Sequence, residues 1–244
     1  MPKMDKSDLD SFEKKVGIDF NNKSLLKQVF VHRSYLNENA GFALGHNERL
    51  EFLGDAVLEL VVTEHLYQNF DNPEGELTNL RSALVKGSML SKIAMEIGIE
   101  HHLLLSRGEA KSEGKSRQLI LANAFEALVG AIYLDRGYEE ASKFIKKYLI
   151  KHLDSIIENK LYLDPKSHLQ EIAQEKIGLT PIYKVLQEAG PDHAKIFNVG
   201  CFVSDKMIGQ GTGSSKQNAE SEAASDALSK WDKIDLENLN HETS

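Results

Sequence analysis

The chain has 244 residues, with 37 acidic against 29 basic side chains, a formal net charge of −8 and one cysteine. That length suits one or two domains with sizeable cores, and the single Cys201 excludes an internal disulfide framework and a cysteine-rich zinc site. The acidic total is only a weak argument against a nucleic-acid partner, because local patches rather than totals set such binding.

No continuous apolar run looks long enough to span a bilayer, and the start, MPKMDKSDLD, lacks the apolar region of a signal peptide. The expectation is a soluble, cytoplasmic protein with no membrane partner. Residues 1–158 read as mostly helical. In the stretch HNERLEFLGDAVLEL (46–60), the part from Leu50 onward, continued to Val62, would be apolar around most of a helix, and its exceptions Glu51, Asp55 and Glu59 stand four apart on one face. Two readings compete. The stripe is either solvated, or it is buried among carboxylates that need a cation, with a divalent metal the strongest candidate. The turn DNPEG (71–75) follows. Apolar spacing of three and four then predicts helix over 79–99.

The stretch RGEAKSEGKSR (107–117) reads as a flexible surface loop. Its Arg107, Lys111, Lys115 and Arg117 serve either as a solvated connector or as phosphate contacts. LILANAFEALVGAIYL (119–134) repeats the earlier pattern, with Asn123 and Glu126 on one face. If the two helices pack together, Glu51, Asp55, Asn123 and Glu126 converge on an oxygen-lined pocket suited to Mg²⁺ or Mn²⁺ and to phosphate chemistry. The turn DRG (135–137) precedes a further helical pattern over 138–157.

Residues 159–164, NKLYLD, form a short linker before Pro165. Next comes an amphipathic helix over 166–178, with Leu169, Ile172, Ala173 and Ile177 inward and Gly178 as its stop. Three strand-like runs follow: IYKVLQEAG, KIFNVGCFVSD and KMIGQGTG. In the middle one Phe197, Val199, Cys201 and Val203 alternate. SSKQNAESEAASDALSKW is a closing helix with Ala219, Ala223, Ala227 and Trp231 inward. The fold class is therefore an all-α domain followed by a small α+β domain of order α-β-β-β-α, with a polar tail over 233–244.

HNERLEFLGDAVLEL closely resembles the signature of the bacterial ribonuclease III family. The resemblance extends to VHRSY (31–35), GELTNLRSALV (75–85) and ANAFEALVGAIYLD (122–135). The α-β-β-β-α module resembles the double-stranded-RNA-binding domain. Together these cover about residues 10–231. The resemblance implies an endonuclease domain over 1–158 and an RNA-binding domain over 165–232. It implies Mg²⁺-assisted hydrolysis of double-stranded RNA, with Mn²⁺ able to substitute, giving 5′-phosphate products with short 3′ overhangs in ribosomal, messenger and transfer RNA processing. Glu51, Asn123 and Glu126 would hold metal, and Asp55 and Glu126 would be catalytic. Position 123 is usually Asp in the family, and an Asn carbonyl brings no charge to a cation.

Other roles stay open between two readings. Glu48 is either at the site rim or an ordinary surface charge. Glu76 is either an acid near the RNA path or a helix N-terminal acid favoured by the dipole. His32 reads as a core histidine rather than a ligand. Phe52 is either plain core or, as in relatives, a plug entering the partner of a homodimer. In the RNA-binding domain, Gln170 and Glu171 match positions that meet 2′-hydroxyls and base edges, His193 in GPDH matches a minor-groove probe, and Lys216 matches the phosphate clamp. The family usually has a second lysine where this chain has Gln217. Two rival functions remain: a catalytically weakened dimeric RNA binder, because of Asn123, and a metal phosphohydrolase of small nucleotides. The RNA-binding module argues against the second.

Overall fold

A computed structural model describes residues 6–191 and 195–231, and the chain divides into two units, Met1–Tyr162 and Leu163–Ser244. The first is helical. It contains α1 (Lys6–Val16), α2 (Lys23–Val29), α3 (Arg33–Glu38), α4 (Glu48–Asn69), α5 (Glu74–Leu84), α6 (Gly87–Glu96), α7 (Gly114–Arg136), α8 (Tyr138–Tyr148) and α9 (Leu153–Glu158). Single turns of tighter helix lie at Ile99–His102, Glu109–Lys111 and Ile150–His152. Side-chain acceptors start the short helices: Asn22 Oδ1 accepts from Ser24 N at 3.0 Å before α2, and His32 Nδ1 accepts from Ser34 N at 3.3 Å before α3. His32 is thus a half-buried cap rather than a core histidine.

Three expectations change. The pattern over 79–99 is broken where Lys86 takes an extended conformation (φ −58°, ψ 132°), giving α5 and α6. The spacing runs on across the break because both helices bury one stripe against the same core. The pattern over 138–157 is likewise split, into α8, a tight turn and α9. And α7 is long and apolar enough to cross a membrane by composition alone. It is instead the central helix of the core, with Ala124, Phe125, Ala127, Leu128, Val129, Ala131 and Ile132 wholly buried.

The packing of α4 on α7 is the most extensive in the unit. Leu58, Val61 and Val62 of α4 are fully buried. Two mid-helix glycines, costly by local propensity, make this packing possible. A Cβ on Gly54 would lie 1.8 Å from the Glu126 carbonyl oxygen, and one on Gly130 would lie 2.2 Å from the Leu50 carbonyl oxygen. The helices therefore touch backbone to backbone.

The second unit runs α10 (Pro165–Ile177), β1 (Ile182–Ala189), β2 (Ile196–Val203), β3 (Lys206–Gly213) and α11 (Lys216–Ser229). Pro165 opens α10 and Gly178, at φ 69°, closes it. The strands form an antiparallel sheet in the order β1-β2-β3, paired from Ile182↔Phe202 to Ala189↔Ile196 with a register shift between Val185 and Gln187, and from Phe197↔Gly213 to Val203↔Lys206 with a register shift between Cys201 and Phe202. One face carries Val199, Cys201 and Val203 against Leu169, Ala173, Ala219, Ala223 and Ala227. Cβ atoms on Gly209 and Gly211 would fall within 2.4 Å of the α11 backbone at Ala223, so β3 lies directly on that helix.

Candidate active site

The amino end of α4 is held by one buried side chain. Asn47, 4% exposed, donates from Nδ2 to Val29 O at 2.9 Å, and its backbone N–H donates to Val31 O at 2.9 Å. Its own carbonyl accepts from Glu51 N at 2.9 Å. The first turn of α4, with Glu48 and Glu51, is thereby fixed to the end of α2.

The glycine crossing does the rest. It sets Glu51 and Asp55, on either side of Gly54, against Asn123 and Glu126 on α7. Burial raises the Glu51 carboxyl above the usual range, and Glu48 and Asp55 add to the shift, while a hydrogen bond from Asn123 works against it. Glu126 is pushed up to about 7, by burial first and then by Asp55 and Glu51. These four residues are brought together as the sequence suggested. The region wants positive charge, and its donors are hard oxygens of the kind that suit Mg²⁺. Among the described residues no group of three His, Cys, Asp or Glu side chains stands close enough to hold a metal ion by itself.

Other sequence candidates lie elsewhere. Glu59, on the same stripe in the sequence, is drawn away by Arg81 at 3.0 Å. Glu48 sits at the rim between Arg33 and His46, each at 3.7 Å. Glu76 occupies the exposed first turn of α5, where Asn72 Nδ2 donates to it at 2.6 Å. Stretch 107–117 is not one open loop: Glu109–Lys111 form a tight turn and α7 begins at Gly114. Arg107 and Lys111 are exposed. Arg117 leaves the expected basic patch and pairs with Glu100 at 3.1 Å. Phe52 is 81% exposed, and Leu60 and Tyr67 on the same side of α4 are exposed too.

In the second unit, Gln170 and Glu171 are exposed on α10. Lys216 opens α11, which Ser215 caps by accepting from Asn218 N at 3.2 Å. His193 lies outside the described residues. Sequence reasoning missed Asn47, Gly54 and Gly130. The signal for the glycines was their place inside two strongly helical, apolar segments, where glycine needs a packing reason.

Residues 22–153 match the family model described as Ribonuclease-III-like, and residues 165–230 match the double-stranded RNA binding motif. The chain is 45% identical over 215 residues to Ribonuclease 3 of Desulforamulus reducens, covering 88% of this chain and 87% of that one. It is 43% identical over 232 residues to Ribonuclease 3 of Borreliella burgdorferi, covering 95% and 94%. A solved nuclease domain of ribonuclease III from Campylobacter jejuni is 38% identical with a TM-score of 0.52, covering 59% of this chain and 94% of that one. Another structure of that domain, described as flexible in a region involved in dimer formation, has a TM-score of 0.51 at 38% identity and covers 57% and 97%. Similarity at this level, continuous through both units and nearly the full length of the relatives, reflects common descent, and the chain belongs to the ribonuclease III family of double-stranded-RNA endoribonucleases.

Proposed function

We propose that this enzyme is a Mg²⁺-dependent homodimer that cuts both strands of duplex RNA, leaving 5′-phosphates and short 3′ overhangs, in ribosomal, messenger and transfer RNA processing in the cytoplasm. Mn²⁺ substitutes for Mg²⁺. The observation that carries this reading is the acidic crossing of α4 and α7 in a chain that also bears a double-stranded RNA binding motif. Glu51, Asn123 and Glu126 hold the cation. When bound, it supplies the positive charge that stabilises the leaving 3′-oxygen. Asp55, on the exposed side of the cluster, orients the water. The water oxygen bonds to phosphorus in line as the bond to O3′ breaks, and the phosphate stays on the 5′ end. Residues 1–158 carry cleavage, 159–164 link, and 165–232 supply duplex affinity through Gln170, Glu171, His193 and Lys216, with the tail over 233–244 outside both. Arg107 and Lys111 add phosphate contacts. The decisive experiment incubates the full chain with long perfect duplex RNA, with and without Mg²⁺, and maps the product ends. Cleavage without added divalent ion in excess chelator, or 3′-phosphate products, would refute it.

Asn123→Asp is expected to stay active and to reach half-maximal rate at lower Mg²⁺, by about threefold to tenfold, because a carboxylate adds charge where the cation sits. An unchanged Mg²⁺ titration would remove residue 123 from contact with the ion.

The dimer is supported by the exposed stripe of Phe52, Leu60 and Tyr67. A two-fold axis presents two acidic clusters to the two strands of one duplex. Truncating a Phe that is buried costs about 3–5 kcal/mol. Phe52→Ala is therefore expected to shift a low-micromolar sample toward monomer in analytical ultracentrifugation. A dimer unmoved by that change would clear Phe52 of the role.

A further inference from the structure

Lys216 and Lys195 do not stand as independent cations. Lys216 Nζ lies 3.3 Å from Glu188 Oε1, and Lys195 Nζ lies 3.4 Å from Glu188 Oε2, so one carboxylate at the end of β1 bridges both ammonium groups. The Lys216 ammonium also rests over the Phe197 ring, 5.6 Å from its centre. Hydrogen bonding from Lys216, more than from Lys195, holds the Glu188 carboxyl below the usual range, so it is ionised at neutral pH. The second position of α11 is Gln217, which contributes no charge to compensate.

We infer that Glu188 is an internal counter-ion that occupies the place of an RNA phosphate on Lys216 and so sets the strength and salt range of duplex binding. This rests on the reading of Lys216 as a phosphate contact. A backbone phosphate reaching the start of α11 must share or displace that carboxylate. The helix amino end attracts the phosphate, while Glu188 repels it at short range. Removing the charge but not the shape should free one cation for counterion exchange with RNA. Glu188→Gln keeps an acceptor that can still steer both lysines, so it separates charge competition from positioning.

The test measures binding of the full chain to a perfect RNA duplex, in Ca²⁺ to suppress cleavage, across a salt series. Glu188→Gln is expected to tighten binding by about threefold to tenfold at low salt and to steepen the log–log salt slope by about one unit. In the Lys216→Ala background the same change should give little or no gain. Single-turnover cleavage at saturating enzyme should be unaltered. Unchanged or weaker binding by Glu188→Gln, while Lys216→Ala still loses affinity and the melting temperature holds, overturns the counter-ion role alone. If Lys216→Ala binds as well as the parent chain, the phosphate contact at Lys216 fails and this inference falls with it.

Discussion

Glu126→Gln is expected to lower the cleavage rate by about a thousandfold or more at saturating Mg²⁺ while leaving duplex binding intact. Glu126 is the one charged side chain between Gln118 and Asp135, in the stretch of α7 whose neighbours from Ala124 to Ile132 are all buried. Losing its charge at the cation removes several kcal/mol of transition-state stabilisation, at about 1.4 kcal/mol per tenfold in rate. The same change should affect stability in the opposite sense. The folded carboxyl is raised to about 7, above its unfolded value. A raised acid resists ionisation, so its penalty is absent below about pH 4.5, grows as pH rises, and is complete above 7. In chelator at pH 8 the variant should therefore be more stable by about 1–2 kcal/mol, a figure discounted for partial solvent screening. The gain should fade toward pH 4.5. A variant that keeps half the parent rate would remove Glu126 from the chemistry. A variant no more stable than the parent at pH 8 would show that the carboxyl is relieved by other means.

The second large effect is on the crossing itself. Gly54→Ala places a methyl 1.8 Å from the Glu126 carbonyl oxygen, 2.6 Å from its carbon and 2.8 Å from Gly130 N. All three are backbone atoms, so no side chain can rotate out of the way. The helices must separate by more than an ångström to restore contact distance. That opens the core along α4 and α7 and pulls Glu51 and Asp55 from Glu126. A loss of about 3 kcal/mol or more is expected, at the upper end for overpacking. Thermal melting should show it. Gly75→Ala is the matched control, since a Cβ there meets nothing within 4 Å, and it should be neutral or slightly stabilising. Melting of Gly54→Ala within about a degree of the parent would show that the crossing tolerates a side chain.

What the sequence revealed, and what it hid, follows from range. Spacing within a helix is local, so Glu51 and Asp55 on one segment and Asn123 and Glu126 on another could be read as faces. The element order of the second unit was legible for the same reason: its middle strand alternates, and Pro165 and Gly178 mark the ends of its first helix. Partners distant in the chain were not. Nothing near Glu59 announces that Arg81 will claim it, and nothing near Arg117 announces Glu100. Both residues therefore looked like members of surface patches that the fold dissolves. The break at Lys86 was hidden because a stripe that points to one core keeps its rhythm through a kink. Gly54 and Gly130 were visible as letters, but their reason exists only once two backbones meet.

The alternation that seats Cys201 beneath the sheet has a practical consequence. It is the only thiol in the chain, fully buried, and burial pushes its pKa to about 11. The thiolate is what attacks a disulfide reagent, breaking its S–S bond and expelling the other half as a thiolate, so labelling waits for the second unit to open and the group to regain its ordinary acidity. The first unit has no sulfhydryl and stays silent. The rate of labelling is thus a built-in clock for the opening of one unit alone. Followed beside circular dichroism, which is dominated by the helices of the first unit, it would time the loss of the two folds separately in a single unmodified sample.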